Sequence, residues 1–462
     1  VPEPEKNPNL SFIVDPPGWF RVLISRRVLG PLMDRDAIEA RRRRAEAWRR
    51  RRRLPHVVEY YHQLDDPYSH LTAQVLEAFA ARYDVAVEVH LIRATGGASQ
   101  PEFDKLAAWA RRDAELVAPH LGLEFPADAG TTPARPHQVL AGRALAGARS
   151  GAEAVARIAE VSRALWAGDE AALRALAEGG ASAAEVDAAL DAGSKRLAKK
   201  RHYSGAMFFY GGEWFWGVDR LYHLEERLRG LGACRAPDEP VLVPRPEVDV
   251  AGVDASGLRL DFYPSLNSPY TSIMYDRTIA MKDACGIAFH HKPVLPMVMR
   301  GIPAPADKAR YIVFDTKREA DAAGVPYGDV IMPIGEPTRR AYSLLPWATA
   351  QGKDEELMSS LLRHAFAMGV GLHTDAGMRR AVEAAGLDWS QAREVIGGDA
   401  WRPLVARYQD ELAEDLGLWG VPSMKLSGPE GEPDVAVWGQ DRLWLVAAEI
   451  RRRAALMSDP AG

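Results

Sequence analysis

Sulfur is scarce in this chain. Of its 462 residues only Cys234 and Cys285 are cysteine, with no Cys-x-x-Cys and no His/Cys cluster at metal-ligand spacing. That excludes a disulfide framework, leaves no metal site to expect, and makes a reducing cytoplasm the simplest compartment. Both cysteines read as small buried or half-buried apolar residues. Long apolar runs are missing too. The stretch "WFRVLISRRVLGPLM" is broken by Arg21, Arg26 and Arg27, so neither a membrane span nor an uninterrupted secretory segment is expected. GxGxxG, a Walker lysine loop, a GxSxG elbow and HExxH are all absent, which leaves the common nucleotide, hydrolase and zinc-protease chemistries without a motif.

What is present suits a folded chain of two or three domains: 47% of residues are hydrophobic and 26% charged. The net charge of −5 is unevenly placed. Residues 1–54 hold 14 Lys/Arg against 7 Asp/Glu, most of the excess lying in "RRRRAEAWRRRRR", Arg41 to Arg53. Such a run can touch nucleic acid or anionic lipid. A solvated basic helix folding back on an acidic body is the preferred expectation, because no aromatic base-stacking pattern accompanies the arginines.

The chain repeats itself. Tyr61-x-x-Leu64-x-Asp66-Pro67-Tyr68-Ser69 matches Tyr263-x-x-Leu266-x-Ser268-Pro269-Tyr270-Thr271 at a constant offset of 202. Further on, "FWGVDRLYHLEERL" from Phe215 matches "VWGQDRLWLVAAEI" from Val437 at an offset of 222, a drift that internal loops absorb. Each copy has the same grammar. "HVVEYY" and "LRLDFY" read as strands, each followed by a helix from the proline and a second strand, "VAVEVHLI" or "IAFHH". That order is a right-handed βαβ unit. Helical insertions follow, about 101–200 and 305–416; then come hairpins at "MFFYGGEWFW" and "SGPEGEP", and closing helices near Asp219 and Asp441. The resulting expectation is a basic arm over 1–54, domains over 55–233 and 257–462, and a proline-rich linker over 234–256.

A βαβ unit, a helical insertion, a hairpin and a terminal helix is the thioredoxin-like plan, so the fold class expected is α/β, two tandem thioredoxin-like domains. The second copy resembles the 2-hydroxychromene-2-carboxylate isomerase and kappa-class glutathione transferase family, itself related to the DsbA oxidoreductases. The motifs carrying the resemblance are "FYPSLNSPYTS", "KPVLP", "KARY", "GVPS" and "WGQDRL". The first copy shares "DDPYS", "KLAAW" and "WGVDRL" and is more diverged. In the DsbA-like relatives a Cys-Pro-x-Cys step opens the helix; here those cysteine positions read Ser268 and Thr271, and Asp66 and Ser69. With no sulfur there, dithiol exchange cannot run.

The resemblance implies that Ser268 hydrogen-bonds the thiolate of bound glutathione at a helix N-terminus, whose unpaired N–H groups favour negative charge. It further implies a cis Val421-Pro422 edge that offers backbone groups to the peptide, Gln440 and Asp441 for the γ-glutamyl end, and Lys308 for the glycyl end. Ser268 and Asp66 also satisfy a plain helix N-cap with proline following, which explains both copies unaided. The relatives' Gly-Asn-x-Pro segment is absent; this chain has "MRGIPAPADK". Aligning "AM" with "SM" puts Gly205 opposite Pro422, and Asp66 would repel a thiolate, so the first copy is expected to have lost glutathione chemistry. The activity implied is glutathione-dependent isomerisation or transfer on a conjugated aromatic or enone acid. The alternatives are a non-catalytic tandem scaffold, or an oxidoreductase by ancestry only. Expected partners are glutathione and a small-molecule substrate, with no nucleic acid, and a homo-oligomer is left open.

Overall fold

Two runs rich in β-branched and aromatic residues, "VVEYYHQ" and "RLDFY", form the central strands of two four-stranded sheets in the computed structural model, which describes residues 15–127 and 132–458. The first sheet holds β1 (Val57–Gln63), β2 (Ala86–Ile92), β3 (Met207–Tyr210) and β4 (Glu213–Trp216), in the order β2-β1-β3-β4. The second holds β5 (Arg259–Tyr263), β6 (Ala288–His291), β7 (Ser423–Ser427) and β8 (Val435–Trp438), in the order β6-β5-β7-β8. Strand senses agree as well. β1 runs parallel to β2 and antiparallel to β3, and β5 does the same with β6 and β7. A parallel neighbour requires a crossover, supplied by the helices Pro67–Arg82 and Pro269–Cys285.

The chain divides into two compact units. Of the described residues, the N-terminal unit comprises those within Glu39–Arg245 and Pro305–Tyr311, and the C-terminal unit comprises 15–38, Pro246–Ala304 and 312–458. In the N-terminal unit, Tyr60, Leu71, Leu76, Phe79, Phe208, Phe215 and Leu224 are sealed into one core under five longer helices inserted between β2 and β3. One of them, Ala183–Lys199, approaches β2 so closely that a Cβ on Gly193 would lie 2.1 Å from the Leu91 carbonyl oxygen. In the C-terminal unit, Leu260, Phe262, Met274, Met424, Leu426 and Leu443 are fully buried, beside an insertion running from helix Ala306–Ala323 to helix Trp401–Asp410. Residues 235–258 carry no helix or strand.

The arginine-rich run lies in helix Arg35–Arg51, none of whose side chains is buried. Arg42 grips the Glu213 carboxylate with two bonds of 2.8 and 3.0 Å, and Arg49 and Arg50 pair with Glu46 on the same helix. Ahead of it, Arg21 is buried and donates to the Ile334 carbonyl at 2.5 Å while pairing with Asp15 at 2.9 Å. Among the described residues no helix is long and apolar enough to cross a membrane.

Candidate functional site

Each crossover helix starts the same way. The side chain of Asp66 accepts from the Ser69 N–H at 2.9 Å, and that of Ser268 from the Thr271 N–H at 3.1 Å, with proline at the first helical position. The next tyrosine is anchored alike: Tyr68 donates to Asp113 and Tyr270 to Asp315, both at 2.8 Å and both across 45 residues. Asp315 is fully buried and also receives Arg318 at 2.8 Å. Sequence reading missed these two aspartates, although they keep the 202-residue offset of the helix starts.

In the C-terminal unit, Ser268 is 8% exposed and its hydroxyl donates to the Val421 carbonyl at 3.4 Å. The Val421-Pro422 peptide is cis. The Pro422 carbonyl accepts from Gly439 N–H at 2.9 Å, which brings the Gln440–Arg442 turn beside the same edge, against the helix that Ser268 caps. Ser268, Val421, Pro422, Gln440 and Asp441 are therefore contiguous. The position before Val421 must be glycine, because a Cβ on Gly420 would stand 1.9 Å from two atoms of the Trp438 ring.

Polar atoms in this region are left open. The Ser265 hydroxyl, Asn267 Oδ1, Trp419 Nε1 and Gln440 Oε1 are sealed from solvent without a hydrogen-bond partner among the described residues. Gln440 is 2% exposed and its Nε2 donates to Glu319, itself buried, at 2.9 Å. Lys308 is grouped with the N-terminal unit, where its ammonium donates to the Ser99 carbonyl at 3.3 Å and burial lowers its pKa. The histidines are engaged elsewhere: His291 bridges Asp354 and Tyr275, His290 meets Asp261 at 3.0 Å, and burial pulls His62 down to about 3. Among the described residues no group of side chains could hold a metal ion. Cys285 ends the helix that Ser268 begins, 17 residues or about 25 Å away, and is buried.

The N-terminal unit corrects one alignment. Sheet register pairs Tyr60 with Phe208 and Phe262 with Met424, so Ala206, and not Gly205, stands at the Pro422 position. The hydrogen bonds agree: Gly217 N–H reaches the Ala206 carbonyl at 2.7 Å, as Gly439 reaches Pro422. Both hairpins keep one register, with Met207 opposite Trp216 and Ser423 opposite Trp438, so matching "AM" to "SM" shifted the alignment by one residue. Gly205 instead matches Val421, and its missing side chain makes room for Asp66, whose Oδ2 would lie 3.0 Å from a Cβ there.

Burial raises the Asp66 carboxyl to about 6, hydrogen bonds from Ser69 opposing it. An acid raised on folding holds its proton more tightly in the native state. Stability is therefore lost as pH climbs from about 4 through about 6, and stays lower above. Asp66→Asn keeps the cap and removes the charge. It is expected to stabilise the protein by about 1–3 kcal/mol at pH 8 and to give no gain at pH 4. Thermal unfolding at the two pH values checks this, and an equal Tm shift at both would contradict it.

Residues 259–451 match the family described as the DSBA-like thioredoxin domain. No curated protein matches the chain. Among solved structures, a 2-hydroxychromene-2-carboxylate isomerase is 18% identical, with 44% of this chain and 100% of that one covered, at a TM-score of 0.37. A probable DsbA oxidoreductase from Streptomyces coelicolor is 19% identical over 42% of this chain and 90% of that one, at 0.33. The cytosolic disulfide reductase DsbM from Pseudomonas aeruginosa is 15% identical over 42% and 98%, at 0.28.

Proposed function

We propose that the C-terminal unit is a glutathione-dependent isomerase or transferase of conjugated aromatic or enone acids, working in the cytoplasm without dithiol redox chemistry. We further propose that the two units are tandem thioredoxin-like domains born of a duplication, the first having lost this chemistry. The observation carrying the reading is the state of Ser268: its hydroxyl is fixed by the Thr271 amide, yet its own proton rests on the Val421 carbonyl in a long 3.4 Å bond that a sulfur anion could displace. Cys285, the one thiol of the C-terminal unit among the described residues, is buried at the far end of the helix and does not compete.

The donor set suits the tripeptide. The Val421 N–H makes no hydrogen bond among the described residues and is free to pair with an extended backbone. Gln440 Oε1, buried and unpaired, is an acceptor for an ammonium, and Asp441 supplies negative charge beside it. Bound glutathione supplies a sulfur nucleophile for reversible addition to a conjugated double bond. The chain's own residues hold that sulfur as thiolate, through the Ser268 hydroxyl and the helix N-terminus, and orient the peptide along Val421.

Calorimetric titration of glutathione into the full chain and into Ser268→Ala tests this. Binding that weakens about 10-fold or more in the variant is expected, from the loss of one hydrogen bond to a charged acceptor. Undiminished binding in the variant would sink the role of Ser268. A second reading, a non-catalytic tandem scaffold that captures a peptide along the Val421-Pro422 edge, is favoured by one observation: the ammonium of Lys308, expected at the glycyl end, is taken up by Ser99. Absence of heat with glutathione in the wild-type chain would decide for the scaffold.

A further inference from the structure

Arg300 ends the short helical turn Met297–Arg300, in the loop that follows β6. Its Nε donates to the Leu295 carbonyl at 3.0 Å and one Nη2 hydrogen to the Trp419 carbonyl at 2.5 Å. Trp419 lies two residues before Val421, whose carbonyl receives Ser268, so the guanidinium is fastened to the backbone segment that forms the edge of the site. A guanidinium has five N–H donors. Two are used here, both on neutral carbonyls, and among the described residues no carboxylate pairs with it. Its Nη1 end makes no hydrogen bond among the described residues and is not among the atoms sealed from solvent. Burial pulls the group down to about 10, with Tyr342 opposing, so it stays cationic at neutral pH.

A largely desolvated arginine without an acid is costly unless something completes it. The buried arginines with a described ion pair each face a carboxylate on their own unit: Asp15 for Arg21, Asp441 for Arg442 and Glu449 for Arg453. The open edge of Arg300 is a planar pair of donors of the kind that grips a carboxylate with two parallel bonds. The unpaired Ser265 hydroxyl and Asn267 Oδ1 lie on the segment leading to Ser268, and Tyr342 links that segment to the Arg300 loop: its hydroxyl accepts from Leu266 N–H at 3.2 Å and donates to the Val294 carbonyl, next to Leu295, at 2.8 Å.

We propose that Arg300 is the carboxylate-recognition residue of this site. The proposal rests on the glutathione reading for its setting, and the carboxylate comes either from the glycyl end of the tripeptide or from the conjugated acid. It takes over the role for which Lys308 was expected, with a cation that belongs to the same unit as Ser268.

Paired probes differing only in that group test it. Wild type and Arg300→Gln are titrated with glutathione and with glutathione whose glycyl carboxylate is an amide. They are then titrated with cinnamate and cinnamamide in the presence of S-methylglutathione. The variant is expected to lose 10- to 100-fold in affinity for the acid member of one pair and to bind its amide as wild type does. The pair affected identifies the source of the carboxylate.

Equal losses for acid and amide in both pairs would mean that Arg300 only staples its loop to Trp419, and no loss in either would remove it from the site; both overturn the proposal. If Arg300→Gln does not fold, Arg300→Lys, which keeps the charge and loses the fork, must show the same split between acid and amide. The two readings fail separately. Binding of glutathione that depends on Ser268 but not on Arg300 leaves the first standing alone. Arg300-dependent binding of cinnamate without glutathione binding leaves only the second. A wild-type chain that binds no probe overturns both.

Discussion

Asp315→Ala is expected to destabilise the C-terminal unit by about 3–5 kcal/mol, the cost of breaking a buried, charged hydrogen-bond group from one side. Asp315 is fully buried and holds two donors, Tyr270 and Arg318, each at 2.8 Å. Alanine leaves both facing a cavity, and the tyrosine lies two residues beyond Ser268, so the helix start loosens with it. Asp315→Asn keeps an acceptor for Tyr270 and should lose about half as much. Hydrogen exchange read on β5 to β8 is the measurement of choice, because a two-unit chain need not unfold in one step. Protection there should fall while that of β1 to β4 holds. A loss under about 1 kcal/mol would show that the tyrosine anchor is incidental.

Gly420→Ala is expected to cost about 2–3 kcal/mol and to abolish the glutathione binding proposed above, since an added methyl would overlap the Trp438 ring at 1.9 Å. The ring cannot retreat freely, as it packs on Trp419 with centroids 5.0 Å apart. Either the indole or the Val421 edge must move. A double-mutant cycle separates this clash from any intrinsic preference for glycine: in a Trp438→Ala background the same substitution should cost little. An unchanged penalty in that background would place the cause in the backbone. Chemical denaturation of the four proteins supplies the energies.

These two positions show what a single sequence displays. The two sheets and the helix starts were legible because proline at the first helical turn and a hydroxyl or carboxylate before it leave a local imprint, repeated at one offset. Gly420 was read as part of a family motif, yet its reason, an indole 18 residues later, is tertiary. Asp113 and Asp315 carried a signal in their spacing, but a tyrosine and an aspartate 45 residues apart are coupled only once the intervening chain has folded. Register failed at Gly205 for a similar cause: the hairpin, and not the "AM" similarity, fixes which residue faces the capped helix. Arg300 was passed over because an unpaired cation cannot be told from a paired one before its neighbours are known.

The exchange of Ala206 for Pro422 has one more outcome. In the N-terminal unit the Ser69 oxygen takes amide protons from Gln63 at 3.2 Å and from Ala206 at 2.9 Å, and passes its own proton to Asp66 at 2.7 Å. Proline has no amide proton to give, so the matching Thr271 oxygen receives a single distant donor, Ser265 at 3.4 Å. At this helix start the N-terminal unit thus quenches its own polarity, whereas the C-terminal unit keeps some in reserve, and a guest entering there competes with no more than long, weak bonds to the host's backbone.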